Sequence, residues 1–402
     1  MLQPKEQLKI IEKGTLQIVG REELLQKLKR SCETGIPLTV KFGMDPSAPD
    51  LHLGHTVPLR KLRQIQDLGH RVVIVIGDFT GRIGDPTGKS KGRSALSVEQ
   101  VEANAQTYFE QIFKVLDPEK TEVRYNSQWL ADLDFEDILR LAATTTVAQM
   151  LERNDFQNRY KNQIPIGLHE FLYPLMQAYD SVELRADIEL GGLDQTFNIL
   201  MGRTLQHSLG HESQAAVFMP LLEGLDGVEK MSKSMNNYIG INEPAPVMFK
   251  KAMEVPDDLI IRYYNLVTDE HPDTIAAIEK ELANGCNPRD IKLRLAYMIT
   301  ELYHGKNGAD EAMAYYHAAF SRKSIPEQIP ELSLESGKDT LSDTVSGLVG
   351  LGLLKSRNEL LRLLEQGGAS LDGERLAAND MSRTLHSREV LKLGKKRFVR
   401  FV

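Results

Sequence analysis

Two short stretches carry side chains whose types and spacing suit phosphate chemistry. "KMSKS" at 230–234 puts Lys230 and Lys233 on a glycine-flanked loop with two small hydroxyl residues, inside "GLDGVEKMSKSMNNYIG". A solvated surface loop is the ordinary reading of a Lys-Ser pair. This five-residue word, however, arises by chance in a chain of this length only on the order of once in ten thousand. "HLGH" puts His52 and His55 just after an apolar run and at the start of a helical pattern. Helix N-termini carry unsatisfied N–H groups and the positive end of the dipole, so they attract phosphate. Two imidazoles there can donate to phosphate oxygens, and Gly54 leaves room for a base or ribose. Zinc binding by the pair lacks a third ligand at the usual spacing. A third stretch, "FLYPLMQAYDSVELRADIELGGLDQTFN", places Tyr173, Gln177 and Asp180 at i, i+4 and i+7, on one face of an otherwise apolar predicted helix. Such a stripe either faces water or lines a pocket, because buried polar groups need partners.

These residues need a scaffold. "IPLTVKFG" reads as a strand, "MDPSAPDLHLGH" as a turn-rich loop, and "TVPLRKLRQIQDLG" as a helix ending at Gly69. "RVVIVIGDF" is a nearly continuous apolar run, as in a buried parallel strand. Strand, loop, helix, strand is a βαβ unit, which predicts a doubly wound α/β domain. No G-x-G-x-x-G follows the first strand, so a dinucleotide site has little support. Residues from about 97 to 185 read as mostly helical, "AAVFMPLLEG" as a further strand, and about 245 to 325 as helical again. "KSIPEQIPELSLESGKDT" reads as a linker.

The bulk numbers agree with a multidomain globular protein. The chain has 402 residues, 41 % hydrophobic and 26 % charged, with two cysteines, Cys32 and Cys286, and no CxxC. No disulfide framework or cysteine zinc site is expected. No apolar run reaches the roughly 20 residues of a membrane span, and the N-terminus lacks a signal-peptide core. A cytoplasmic location is the expectation. The net charge of −7 is uneven: from Lys355 onward 11 Lys and Arg face 6 Asp and Glu, which leaves −12 for the rest. A basic tail on an acidic body suggests a confined polyanion contact.

Taken together, "HLGH" and "KMSKS" resemble the two signatures of class I aminoacyl-tRNA synthetases in form, order and separation. The Y-x-x-x-Q-x-x-D stripe followed by "GGLDQ", with "DPSAPDLHLGH" at 45–55 and "GDPTGKSKGR" at 84–93, resembles the bacterial tyrosyl-tRNA synthetases over essentially the whole chain. The resemblance implies that tyrosine and ATP form an adenylate and pyrophosphate, and that tRNA(Tyr) then takes the acyl group. It implies that Asp180 accepts the substrate phenol, that Tyr173, Gln177 and Asp85 hold the ammonium group, and that Gln195 meets the carboxylate end. Asp194 would contact the ribose, with Gly192 permitting close approach. Ser47, His52, Lys89, Arg93, Lys230 and Lys233 would surround the leaving pyrophosphate, and His55 the nucleotide near the ribose. Mg²⁺ accompanies ATP, no protein-bound metal is expected, and a homodimer is expected. Two positions depart from many bacterial relatives: Lys41 stands where a tyrosine commonly helps bind the phenol, and Phe42 where a cysteine often touches the ribose. Lys41 either donates to the phenol or pairs with an acid.

The implied domains are a Rossmann-like catalytic domain at 1–240 with a mainly helical insertion near 120–190, and a helical anticodon-region domain at 241–325. A linker at 326–340 leads to a C-terminal module at 341–402. There "SRNELLRLLEQGGASLDGERL" reads as helix, glycine turn and strand and resembles an S4-type α+β RNA-binding module. "LKLGKKRFVRFV" adds a basic strand with Lys392, Lys395, Lys396, Arg397 and Arg400 for backbone phosphates. Rival readings are a tryptophan-specific synthetase, a small nucleotidylyltransferase using H-x-G-H, and a non-catalytic RNA-binding relative.

Overall fold

The computed structural model describes residues 2–44, 51–82, 109–321, 329–334, 339–372, 374–394 and 397–402. The chain divides into two compact units, Met1–Met313 and Ala314–Val402.

The first unit is built on a six-stranded sheet. Its strands are β1 (Gln17–Val19), β2 (Thr39–Met44), β3 (Arg71–Ile76), β4 (Thr121–Tyr125), β5 (Ile188–Gly192) and β6 (Ala215–Met219), in the order β1-β6-β5-β2-β3-β4. All pairings are parallel except β1 with β6. The chain winds outward from β2 through β3 and β4, then returns to the other side of β2 with β5 and β6. The winding therefore reverses between β2 and β5, and the carboxyl ends of strands at such a reversal leave a crevice for ligands.

The predicted βαβ unit is present: β2, the helix Leu53–Asp67, then β3. The helix buries Leu53, Val57, Leu62 and Ile65, and Gly69 at φ +95 lies just beyond its end in the left-handed region. All of Val72–Ile76 is buried, as the continuous apolar run requires. The helix Ile260–Val267 packs against Leu53–Asp67, and Arg60 Nη1 reaches Asp269 Oδ2 at 2.8 Å. Residues 241–313 therefore fold with the sheet and buttress the helix that carries "HLGH".

Several strands depart from the sequence reading, which contains no β1. β4 lies where 97–185 reads as helical: it is an edge strand, half-buried throughout, and its Glu122 and Arg124 break the apolar signal of a buried strand. β5 is hidden in the sequence because Glu189 interrupts its apolar run, yet Glu189 is fully buried. Both strands belong to the central sheet, so the stretch near 120–190 begins and ends in the sheet. β7 (Glu331–Leu332) lies inside the predicted linker and pairs in parallel with β11 (Arg397–Phe401).

The second unit holds a five-stranded sheet, β7-β11-β10-β8-β9, with β8 Ala369–Leu371, β9 Glu374–Arg375 and β10 Val390–Leu393. With the helices Val345–Gly350 and Arg357–Glu365 it encloses its own core around Leu341, Leu348, Leu360, Leu391 and Phe401. The predicted helix, glycine turn and strand are present, with Gly367 at φ +64 forming the turn.

Candidate active site

His52 caps the helix Leu53–Asp67 with extended backbone, and its Nδ1 accepts the Gly54 N–H at 3.2 Å. His55 Nδ1 in turn accepts the His52 N–H at 3.4 Å, and the rings stack 3.8 Å apart. With both Nδ1 atoms accepting, Nε2 of each ring carries the proton and is a donor. Burial, then the neighbouring His55 and Lys233, pushes His52 down to about 4. Burial and the lysines at 233 and 230 lower His55 as well. Both rings are thus neutral donors at pH 7. A Cβ at position 54 would stand 3.0 Å from the His52 ring and 3.4 Å from Met231 Cβ, so Gly54 makes room first for the histidine itself.

That Met231 contact joins the two signatures. After "KMSKS" the chain returns beside "HLGH": Leu53 N–H donates to Ile239 O at 2.9 Å and Ile241 N–H to Leu51 O at 3.1 Å. Met231 is buried while Lys230 and Lys233 are exposed, with Lys233 Nζ 5.9 Å from the Tyr238 ring centre. Sequence reasoning misses the organiser of this loop, the buried Asn237. Its Oδ1 accepts the Ser232 N–H at 2.8 Å, and its Nδ2 donates to Asp226 Oδ2 at 2.5 Å and Lys230 O at 3.3 Å. A Cβ at Gly224 would lie 2.2 Å from Asn237 Cγ, which explains that glycine.

A cavity of about 260 Å³ opens at the carboxyl ends of β2, β3 and β5, the reversal point of the sheet. It is below the roughly 300–1,000 Å³ of drug-sized sites, which suits an amino acid. Tyr173, Gln177, Asp180, Gly192, Asp194 and Gln195 all line it, together with Phe42 and, from the signature helix, Pro58. The polar stripe of the helix Leu168–Glu183 therefore faces a pocket and not water: Tyr173 is 6 % and Asp180 3 % exposed. A Cβ at Gly192 would meet Asp194 Oδ1 at 2.4 Å.

Burial pushes the Asp180 carboxyl up to about 7, against the opposing pull of Lys41 and of hydrogen bonds from Trp129 and Asn126. Trp129 Nε1 donates to Asp180 Oδ1 at 2.8 Å. Neither Trp129 nor Asn126 stands out in the sequence; their segment reads as helical filler, and nothing local signals that it meets Asp180. Lys41 is settled between its two alternatives: it is fully buried and its Nζ lies 3.0 Å from Glu189 Oε1. It also donates to Gln177 O and Ser181 Oγ, both at 2.8 Å.

Ser47, Asp85, Lys89 and Arg93 lie outside the described residues, as do Lys395 and Lys396. Of the remaining basic residues in the tail, Arg397 Nη1 pairs with Glu359 Oε1 at 2.9 Å and Arg400 Nη1 lies 3.6 Å from Glu331 Oε1. Lys392 Nζ sits 5.6 Å from the Phe398 ring centre. Among the described residues no helix is long and apolar enough to cross a membrane.

Comparison with known proteins agrees with this geometry. The family described as tRNA synthetases class I (W and Y) matches residues 33–321. A tyrosine--tRNA ligase 2 of Clostridium acetobutylicum is 53 % identical over 399 residues, covering 99 % of this chain and 98 % of the relative. A tyrosine--tRNA ligase of Moorella thermoacetica is 52 % identical over 395 residues, covering 98 % and 95 %. In fold, the chain is similar to a truncated mitochondrial tyrosyl-tRNA synthetase of Aspergillus nidulans, with TM-score 0.63 and 24 % identity over 79 % of this chain and 94 % of that one. The chain belongs to the class I tRNA synthetases of the tryptophan and tyrosine family, and within it to the tyrosine--tRNA ligases.

Proposed function

We propose that this protein activates L-tyrosine with ATP and transfers it to the 3′ end of tRNA(Tyr). The carrying observation is Asp180, a carboxylate buried at the cavity with Trp129 donating to it. A buried carboxylate in an amino-acid-sized cavity selects a side chain that ends in a hydrogen-bond donor, and the tyrosine phenol is one. Tyr173, Gln177 and Asp85 then hold the ammonium group, and Gln195 meets the carboxylate end. Asp194 takes the ribose, with Gly192 permitting its approach. A carboxylate oxygen of tyrosine attacks the α-phosphorus, the bond to the bridging oxygen breaks, and pyrophosphate leaves. His52 and His55 donate from Nε2 toward the phosphates and ribose. Lys230 and Lys233, with Ser47, Lys89 and Arg93, neutralise the charge that grows on the leaving group. Mg²⁺ enters bound to ATP. A terminal tRNA hydroxyl next attacks the acyl carbonyl and AMP departs. Positioning and electrostatics carry the catalysis, and no covalent enzyme intermediate forms.

The basic C-terminal unit supports a contact with tRNA in the manner of an S4-type module, and the helices at 241–325 a contact near the anticodon arm. Exposed Phe135, Leu139, Val147, Tyr160 and Leu168, all within the one segment 135–168, support a homodimer, since a local excess of exposed large apolar side chains marks an interaction surface. The location is the cytoplasm, where tRNA is charged. The reading is tested by aminoacylation of purified tRNA(Tyr) with tyrosine and ATP·Mg²⁺, and it fails if no tyrosyl-tRNA forms while the protein is folded.

A further inference from the structure

The two glutamines that face the amino-acid end of the cavity are tied to groups whose hydrogen-bonding polarity cannot reverse. At one end is Arg153, buried, whose Nη1 donates to Asn198 Oδ1 at 3.4 Å. A guanidinium only donates, so the oxygen of Asn198 faces it and the NH₂ faces away. That NH₂ reaches Gln177 Oε1 at 3.0 Å and Gln195 Oε1 at 3.1 Å. At the other end is Glu189, a carboxylate that only accepts. It takes the Gln177 Nε2–H at 3.4 Å, the Ser181 hydroxyl at 2.9 Å and Gln214 Nε2. Lys41 supplies the countercharge from the adjacent strand, at the position in register with Glu189. Reversing the Gln177 amide would set oxygen against carboxylate and NH₂ against NH₂.

We propose that Arg153, Asn198 and the Lys41–Glu189 pair are a positioning relay that fixes the amide orientation of Gln177 and Gln195 for an α-amino acid. This rests on the proposed roles of those two glutamines. With one lone pair taken by Asn198, Gln177 Oε1 keeps the other for the substrate ammonium. With one N–H on Asp194 Oδ2 at 3.1 Å, Gln195 Nε2 keeps the other for the carboxylate end. The buried ion pair therefore does something an apolar pair of equal volume could not: it sets which end of the Gln177 amide the substrate meets.

Glu189→Gln keeps the volume and removes the acceptor-only end. In tyrosine-dependent ATP–pyrophosphate exchange it should raise the tyrosine KM by about 10- to 100-fold, the range for a hydrogen bond to a charged group, with a much smaller change in kcat. Tyramine, which keeps the ammonium, should weaken as an inhibitor by the same factor. 3-(4-Hydroxyphenyl)propionate, which lacks the ammonium, should hold its inhibition constant within about twofold. If Glu189→Gln does not fold, Lys41→Met combined with Glu189→Gln removes the charge as a pair and carries the same expectation. An unchanged tyrosine KM overturns the relay, as does equal weakening of both inhibitors, which would mean general collapse of the pocket. Gln177→Ala separates this from the underlying reading. If it leaves tyrosine and tyramine unaffected, Gln177 does not hold the ammonium. If it weakens both while Glu189→Gln is silent, only the relay fails.

Discussion

Trp129, the only tryptophan of the chain, donates its indole N–H at 2.8 Å to Oδ1 of Asp180, which lines the cavity. This bond favours the ionised carboxylate, which is otherwise pushed toward its neutral form by burial. Trp129→Phe keeps most of the packing and deletes the donor. The tyrosine KM at pH 7 should rise by roughly tenfold, the worth of a hydrogen bond to a charged group, with kcat less affected. Steady-state exchange kinetics measure it, and an unchanged KM would remove Trp129 from the account. The same residue offers a direct readout, since tyrosine binding should change the emission of this single indole.

The titration of Asp180 has a sign that can be checked. Its pKa in the folded protein, about 7, lies above the ordinary carboxylate value, so the folded state holds a proton that the unfolded state has lost between about pH 4 and 7. Its contribution to stability is therefore greatest below the unfolded pKa and falls as pH rises through 7. Tyrosine recognition runs the opposite way, because the ionised form is the stronger acceptor. The kcat/KM for tyrosine should climb with an inflection near pH 7. Trp129→Phe should move that inflection upward. A flat profile from pH 5.5 to 8.5 contradicts the assignment.

Much of this arrangement is legible in the sequence because local patterns specify it. The apolar run of β3 and the periodicity of Leu53–Asp67 locate the βαβ unit, and the i, i+4, i+7 spacing puts Tyr173, Gln177 and Asp180 on one face. What is not legible depends on partners distant in sequence. Glu189 looks like a break in a strand until Lys41, 148 positions earlier, is seen to neutralise it. Trp129 meets Asp180 only through tertiary packing, and β4 is disguised by the charges an edge strand tolerates. β7 escapes notice because its two residues carry no periodicity and are strand only by pairing with β11.

The lysine loop is held from below by Asn237. Asn237→Ala should free the Lys230 carbonyl and the Ser232 N–H and so loosen the segment that carries both lysines. The expected outcome is a fall in kcat of about 10-fold or more, as for Lys230→Ala and Lys233→Ala, at nearly constant tyrosine KM. A large rise in tyrosine KM at unchanged kcat would make the loop part of the amino-acid site.

In the C-terminal unit, Lys392→Ala and Arg400→Ala should leave tyrosine-dependent exchange unchanged, because that reaction needs only small substrates. Each should weaken tRNA binding and lower the slope of log affinity against log salt by about one for each phosphate left unneutralised. Arg397→Ala should also cost stability, because Arg397 bonds Glu359 and the Leu353 carbonyl. A salt slope identical to that of the parent protein for all three would place the tRNA-binding surface elsewhere.

The most direct test compares tyrosine, phenylalanine and tryptophan in ATP–pyrophosphate exchange on one preparation. Phenylalanine fits the same space but leaves the buried Asp180 carboxylate without the phenol donor, and losing a hydrogen bond to a charged group in a buried site should cost about 100-fold or more in kcat/KM. Tyrosine alone should support rapid exchange, and Asp180→Ala should abolish most of its advantage. Phenylalanine or tryptophan supporting exchange as well as tyrosine would mean that Asp180 does not select the substrate by its hydroxyl.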